Sequence, residues 1–376
     1  MKITLVGQVS PWKGGVAQHS ALLYDELKKT HSVDLISFKR LYPPFLYPGK
    51  SDRDTVSDKA TEVPADYRLD IINPFTWFST FNKIRKNKSD FLVLQWAVYQ
   101  HAFVYIPLLL LVRIFSKTKI VAICHNVLPH KESLMDKFVT KINLSLCHGF
   151  LVQSKKDRSD LLKMLPDAKC SLGFNPIFTP IFNTKKYTKI EAKSSLGISS
   201  RKVILFFGLV REYKGLIYLI RALPKILKKF EVSLLIAGEF WQDTEKEEIK
   251  KLGLGSHIKI VDEYIPNEEV GLYFSAADLL VLPYKSATQT AVAQIGLSFN
   301  LPTIVTNVGG LPEIILNNKT GYVVDPCNSD VLAKHIIRFY EEDKSDEFIE
   351  NIKLDKERFT WSKYVKIMED LFEHMK

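Results

Sequence analysis

Apolar residues in this chain gather into short unbroken runs separated by helical segments. KITLVG (2–7), SVDLISF (32–38), FLVLQW (91–96), KIVAICHN (119–126) and GFLVQS (149–154) form one series. VILFFG (203–208), SLLIAGE (233–239), IKIVDEY (258–264), LLVLPY (279–284) and PTIVTN (302–307) form a second. Continuous apolar runs of this length mark strands buried on both faces. HSALLYDELKK (19–29) is an amphipathic helix, a charged helix starts at Lys155, and 215–230 is helix-like. Strands that alternate with helices make parallel sheets with right-handed crossovers, and ligands bind beyond the carboxyl ends of such strands. Two stretches break the rhythm. Residues 41–70, rich in Pro, Tyr and Asp, read as a long loop, and 176–200 read as a linker. The run AFVYIPLLLLVRIF (102–115) is too short to span a bilayer and is interrupted by Pro107 and Arg113, so it reads as a buried helix. From Phe359 onward TWSKYVKIMEDLFEHMK is an amphipathic helix, expected to pack back across the domain junction. A chain of 376 residues is too long for one core. The expectation is an α/β protein with domains at 1–180 and 181–358 and a closing helix at 359–376.

Three of these strands end in glycine and hand over to a helix. In VILFFGLVREYKG (203–215) the strand stops at Gly208, and a short turn delivers Arg211 and Lys214 before the helix. Two cations beside a helix start, with its free N–H groups and positive dipole end, suit a dense anion. In PTIVTNVGGLPEII (302–315), Gly309 and Gly310 permit positive φ and close backbone approach, and Leu311-Pro312-Glu313 opens the next helix. Glu313 then lies where it can accept hydrogen bonds from hydroxyls. Gly14 and Gly15 in VSPWKGGVAQHS repeat the arrangement after the first strand. Each junction alone is also what an ordinary solvated loop or helix cap looks like. Together they suggest a ligand bearing phosphate and hydroxyl groups, gripped from two domains.

Composition narrows the class. A hydrophobic content of 46% and a charged content of 25% are ordinary for globular proteins. The cysteines (Cys124, Cys147, Cys170, Cys327) are scattered, with no spacing for zinc or a redox dithiol, and no metal is expected. The chain opens directly on a strand with no cleavable signal pattern, which points to the cytoplasm. The net charge of +10 is uneven: residues 1–180 hold 25 Lys and Arg against 15 Asp and Glu, and the rest balance. No nucleic-acid module accompanies the basic half, so nucleic acid is not expected as a partner. Peripheral contact with an anionic membrane surface is.

The motifs taken in order resemble those of family 4 retaining glycosyltransferases of GT-B architecture, two facing Rossmann-like domains holding a nucleotide-sugar. The matching pieces are Gly14-Gly15, HNVLPHK (125–131), FFGLVREYKG, AGEFW, AADLLVLPY, and NVGGLPEII followed by GYVVDP. The resemblance implies that Arg211 and Lys214 neutralise the donor diphosphate, stabilising the leaving group without a metal or other cofactor. It implies that Glu263, Tyr264 and Ile265 bind the base, largely through backbone groups, and that Gly14 and Gly15 meet the phosphates or the acceptor. His125 would be the active-site histidine beside the transferred sugar, with His19 and His130 structural. Gly310, Leu311 and Glu313 would complete the donor loop. The partners implied are a UDP- or GDP-sugar and a glycan or lipid-linked acceptor met by loops 41–70 and 96–107, in cell-surface polysaccharide synthesis.

One departure stands out. The family has two glutamates eight positions apart after the LPY-type strand, and here those positions hold Ser286 and Gln294. A Gln accepts through its amide oxygen but lacks the charge-assisted bond to ribose hydroxyls. Ser286 leaves open which sugar is read, and Thr288, Gln289 and Thr290 offer replacement polar groups. The alternatives are a catalytically silent scaffold or glycan-binding protein, which Gln294 favours, and a nucleotide-sugar epimerase or a phosphorylase of the same architecture. An oxidoreductase is disfavoured, since no G-x-G-x-x-G follows either leading strand.

Overall fold

A computed structural model describes residues 1–42, 51–57, 62–97, 101–128, 133–177 and 185–375. His130, the end of the HNVLPHK motif, and parts of loops 41–70 and 96–107 and of the 176–200 linker lie outside the described residues. The chain divides into two compact units. Unit 1 comprises Met1–Thr55, Lys59–Pro176 and Phe359–Lys376, and unit 2 comprises Val56–Asp58 and Ile177–Arg358.

Unit 1 is built on strands β1 (Lys2–Val6), β2 (Ser32–Arg40), β3 (Asp66–Asp70), β4 (Phe91–Trp96), β5 (Lys119–Cys124), β6 (Gly149–Val152) and β7 (Cys170–Leu172). They form a parallel sheet in the order β3-β2-β1-β4-β5-β6-β7. Helices α1 (Gly15–Leu27), α2 (Pro74–Asn87), α3 (Ala102–Phe115), α4 (Leu134–Ser145) and α5 (Lys155–Met164) connect the strands. The five apolar runs of the first half are all strands, and every residue of β4 is buried. Two readings are corrected. Residues 66–70 are not loop but the edge strand β3, whose polar sequence DYRLD carries only two buried positions and so lacks the apolar signature. The 102–115 helix is buried on one side only: Val104, Tyr105, Leu108, Leu109 and Val112 face the core, while Phe103, Leu110, Ile114 and Phe115 stand in solvent.

Unit 2 repeats the plan. After α6 (Lys189–Ser195) come β8 (Lys202–Phe207), α7 (Leu216–Leu227), β9 (Val232–Ala237), α8 (Thr244–Lys251), β10 (Ile258–Val261), α9 (Val270–Ala276) and β11 (Leu279–Leu282). Then follow α10 (Ala291–Ser298), β12 (Thr303–Thr306), the single turn α11 (Leu311–Ile314), β13 (Gly321–Val324), α12 (Ser329–Glu341) and α13 (Ser345–Asp355). The parallel sheet runs β10-β9-β8-β11-β12-β13. The linker reading of 176–200 is corrected at α6, which a reciprocal Thr188–Glu191 capping box starts. α7 buries Leu216, Leu219, Ile220, Leu223 and Ile226, the 3–4 spacing of a helix lying on a sheet.

The last helix, α14 (Trp361–Glu373), belongs to unit 1, where it packs on α1 and β7. Its Phe372 ring stacks on Phe91 with centroids 4.0 Å apart, and Glu369 lies 3.0 Å from His31.

Candidate functional site

In unit 2 the phosphate-type junction is shaped by close backbone approach. Gly208 (φ +92) ends β8, and Gly238 packs so tightly against it that a Cβ there would sit 2.3 Å from the Gly208 carbonyl oxygen. Residues 212–214 form a single 3-10 turn, and Gly215 (φ +66) both ends that turn and starts α7. A side chain at Gly215 would meet the Pro283 carbonyl at 2.1 Å. Neither Gly14, Gly215 nor Gly310 offers a side-chain cap to the helix it opens, in contrast with Asn73, Ser133, Ser154 and Asn328.

Lys214 and Arg211 emerge from this turn. Lys214 is buried, lies against Gly208, and has its Nζ 5.8 Å from the centre of the Tyr284 ring. Among the described residues no carboxylate forms an ion pair with either cation. Burial first, and then the neighbouring Arg211 charge, push the Lys214 ammonium down to about 7. The Arg211 guanidinium stacks on Trp241 with 3.6 Å to the ring centre, and its Nε is buried without a hydrogen-bond partner. A buried lysine and a half-buried guanidinium held together without a counter-charge make a receptor for a dianion.

Two further loops at the same sheet end are tied to this turn. Lys285 N donates to Tyr213 O, and Thr306 Oγ1 donates to Tyr284 O. Tyr284 Oη lies 3.4 Å from Thr290 Oγ1, and Thr290 caps α10 by accepting from Val292 N. Gly310 N donates to Thr288 O, and a Cβ on Gly309 would be 1.8 Å from the Ala287 carbonyl. The segments bearing Arg211, Lys214, Ser286, Thr290, Gly310, Leu311 and Glu313 are therefore joined by direct contacts. Leu311 is buried and packs the turn. Gln294 is wholly buried on α10, and neither end of its amide has a hydrogen-bond partner. Glu263, Tyr264 and Ile265 follow β10, two strands from β8. Asp262 anchors that segment by accepting from Phe240 N, next to Trp241. Glu263 is exposed and Ile265 is buried.

In unit 1, Gly14 (φ +103) opens α1, and a Cβ there would touch nothing within 4 Å. One turn on, His19 packs edge-on against His125 with ring centres 4.8 Å apart. His125 N donates to Trp96 O, and its Nε2 hydrogen-bonds Gln95 Oε1 at 2.6 Å. Burial pushes the His125 imidazole down to about 4, with a hydrogen bond to Gln153 acting the other way, so it is neutral at pH 7. His19 lies well below its ordinary range, from burial first and then from His125. Asp157 steadies the loop after β5: its carboxylate accepts from Val127 N and from Ser154 Oγ.

Sequence reasoning assigned no role to Gln95, Trp241 or Tyr284. A lone Gln inside the all-buried run FLVLQW is a signal, because a buried amide needs partners. Trp241 stood in the AGEFW motif without a stated task, and only folding places it over Arg211.

The two sheets define a protein of the GT-B fold. Anabaena HepE, solved in complex with UDP and glucose, has this fold at TM-score 0.75 over 100% of this chain and 99% of that one, at 16% identity. Sucrose-phosphate synthase from Thermosynechococcus elongatus aligns at TM-score 0.72 over 100% of this chain and 98% of its own, at 18% identity. Residues 188–355 match the model of the family Glycosyl transferases group 1. An uncharacterized glycosyltransferase of Methanocaldococcus jannaschii is 32% identical over 198 residues, 52% of this chain and 50% of that protein. A D-inositol 3-phosphate glycosyltransferase of Corynebacterium diphtheriae is 24% identical over 238 residues, 59% of this chain and 55% of that protein. The chain thus spans about half the length of the curated relatives it matches.

Proposed function

We propose that this chain is a retaining, metal-independent glycosyltransferase of family 4. It moves a hexose from a UDP- or GDP-sugar to a glycan or lipid-linked acceptor in cell-surface polysaccharide synthesis. It works in the cytoplasm, peripherally at the inner face of the plasma membrane. The observation that carries the reading is the buried, uncompensated Lys214 beside Arg211 at a glycine turn. A nucleoside diphosphate supplies the missing negative charge, and its charge grows as the sugar–phosphate bond breaks, so fixed cations act most strongly in the transition state. The acceptor oxygen bonds to the anomeric carbon on the face the diphosphate leaves, and the acceptor proton passes to the departing phosphate. Neutral His125 hydrogen-bonds the sugar. Thr290, Gln294 and Glu313 read ribose and sugar hydroxyls, Ser286 stands beside the sugar, and the backbone around Glu263–Ile265 holds the base.

The match of residues 188–355 to a glycosyltransferase family and the UDP bound by HepE support this reading. The orphaned Gln294 amide in the position of a glutamate favours the second reading, a silent scaffold. Calorimetric titration with UDP, GDP and ADP in EDTA separates the two. Micromolar binding of one nucleotide, lost in Arg211→Ala, supports the transferase. No binding of any nucleotide supports the scaffold.

A further inference from the structure

Helices α2, α3 and α4 lie side by side on unit 1, α2 against α3 and α3 against α4. Each helix places large apolar side chains on the side turned away from the core, on α2 and α4 beside exposed cations (Arg85, Lys86, Lys137, Lys141). On α2 the inward residues are Phe81 and Ile84, while Phe75 and Phe78 project outward, Phe75 with 84% of its surface exposed. α3 is apolar nearly all round but covered on one side only, leaving Phe103 and Ile114 in solvent. On α4, Leu134 (86% exposed) and Phe138 stand one turn apart. Large apolar side chains concentrated this way mark a docking surface, since scattered exposure is what soluble surfaces show.

What docks is indicated by charge. The carboxyl-terminal ends of α2 and α3 carry Arg85, Lys86, Lys88 and Lys117, none of which forms an ion pair among the described residues. Arg85, Lys88, Lys117 and Lys119, together with Ser89, Thr118 and one carboxylate, Asp90, line a hollow of about 710 Å³. The hollow lies where β4 and β5 begin, the end of the sheet opposite His125. Asp90 is already engaged, accepting from Lys2 N. All of the chain's excess positive charge falls in residues 1–180.

We propose that the α2–α3–α4 face docks on a bilayer containing anionic phospholipid. The outward aromatic and aliphatic side chains enter the acyl boundary, and the Arg85/Lys88/Lys117/Lys119 hollow takes lipid phosphates. Apolar insertion and cation–phosphate attraction add in such peripheral contacts, each near-surface cation strengthening the attachment several-fold. The proposal deepens the peripheral-membrane part of the proposed function and rests on it.

The test is flotation of the full chain with vesicles of phosphatidylcholine alone and of phosphatidylcholine mixed with phosphatidylglycerol, beside UDP and GDP titration of the same samples. Two variants are used, Phe75→Ser/Phe78→Ser/Leu134→Ser/Phe138→Ser and Arg85→Gln/Lys88→Gln/Lys117→Gln. The expected result is binding to the mixed vesicles only, weakened by salt and by each variant on the order of tenfold to a hundredfold, with nucleotide binding and melting temperature unchanged. The charge variant alters no apolar position and keeps the test valid should the first variant misfold. Absence of vesicle binding with nucleotide binding intact overturns this surface alone. Absence of both overturns the underlying reading as well. A concentration-dependent dimer that the apolar variant dissolves, without vesicle binding, assigns the face to a second copy and also overturns the proposal.

Discussion

The two units share a plan and differ in what they bury at the carboxyl ends of their strands. Unit 2 buries a cation, Lys214, with Arg211 beside it, behind glycines that the backbone leaves no room to replace. Unit 1 buries two neutral imidazoles, His19 and His125, beside a glycine that faces open space. The first arrangement is electrostatically strained without an anion and suits a phosphate. The second carries no net charge, with His125 bonded to Gln95 and His19 Nε2 left without a partner, and suits an uncharged sugar or acceptor. One architecture thus carries two chemically distinct strand-end clusters, one in each unit, through a few residues.

The comparison is broken most directly by removing the cation. Lys214→Ala is expected to lower kcat by about a thousandfold while circular dichroism stays that of the wild type. Activity like the wild type in that variant ends the diphosphate assignment. Next in size is the contrast between glycines. Gly309→Ala adds a backbone overlap to a left-handed φ of +52 and should cost about 2 kcal/mol or more, lowering Tm by roughly 4–8 °C. Gly14→Ala meets no atom and pays only for its φ, so its Tm should fall by clearly less. Equal losses at the two positions would erase the distinction.

A smaller effect follows from pH. Lys214 titrates near 7 when folded and near 10.5 when unfolded. Below the lower value both states are charged and the burial cost is fully present. Between the two values the unfolded state holds more protons, so the ligand-free protein gains stability as pH rises. Thermal melts should show Lys214→Met more stable than the wild type near about pH 6, with the gap closing toward about pH 10. A gap independent of pH contradicts a buried, titrating lysine. The smallest effect is at Gln294. Gln294→Leu removes an orphaned amide and should raise Tm by a few degrees while weakening donor binding about fivefold, read by calorimetry. Unchanged donor affinity would take Gln294 out of the site.

Much of this was legible before folding. Ten apolar runs gave ten strands: central strands such as β4 are apolar because both faces are covered, and the edge strand β10 keeps enough of the pattern to be seen. Strands β3, β7 and β13 passed unassigned: β3 and β7 lie at the edge of their sheet and need little apolar surface, and β13 stood within the GYVVDP motif without being read as a strand. The glycine–cation turn was legible for a similar reason, since few residue types tolerate its backbone. The partners of its side chains were not: Trp241 reaches Arg211 and Gln95 reaches His125 through strand neighbours distant in sequence. The outward face of α3 was misread because an apolar run does not say how many of its sides will be covered.

The central claim is that burial leaves Lys214 only partly charged near pH 7 and mostly neutral near pH 8, and that a bound diphosphate makes it a full cation. Calorimetry of UDP or GDP binding near pH 8, repeated in buffers of different ionisation enthalpy, counts the protons taken up. The account predicts an uptake approaching about one proton in the wild type and none in Lys214→Met. Binding without proton uptake, or equal uptake in the variant, would contradict it.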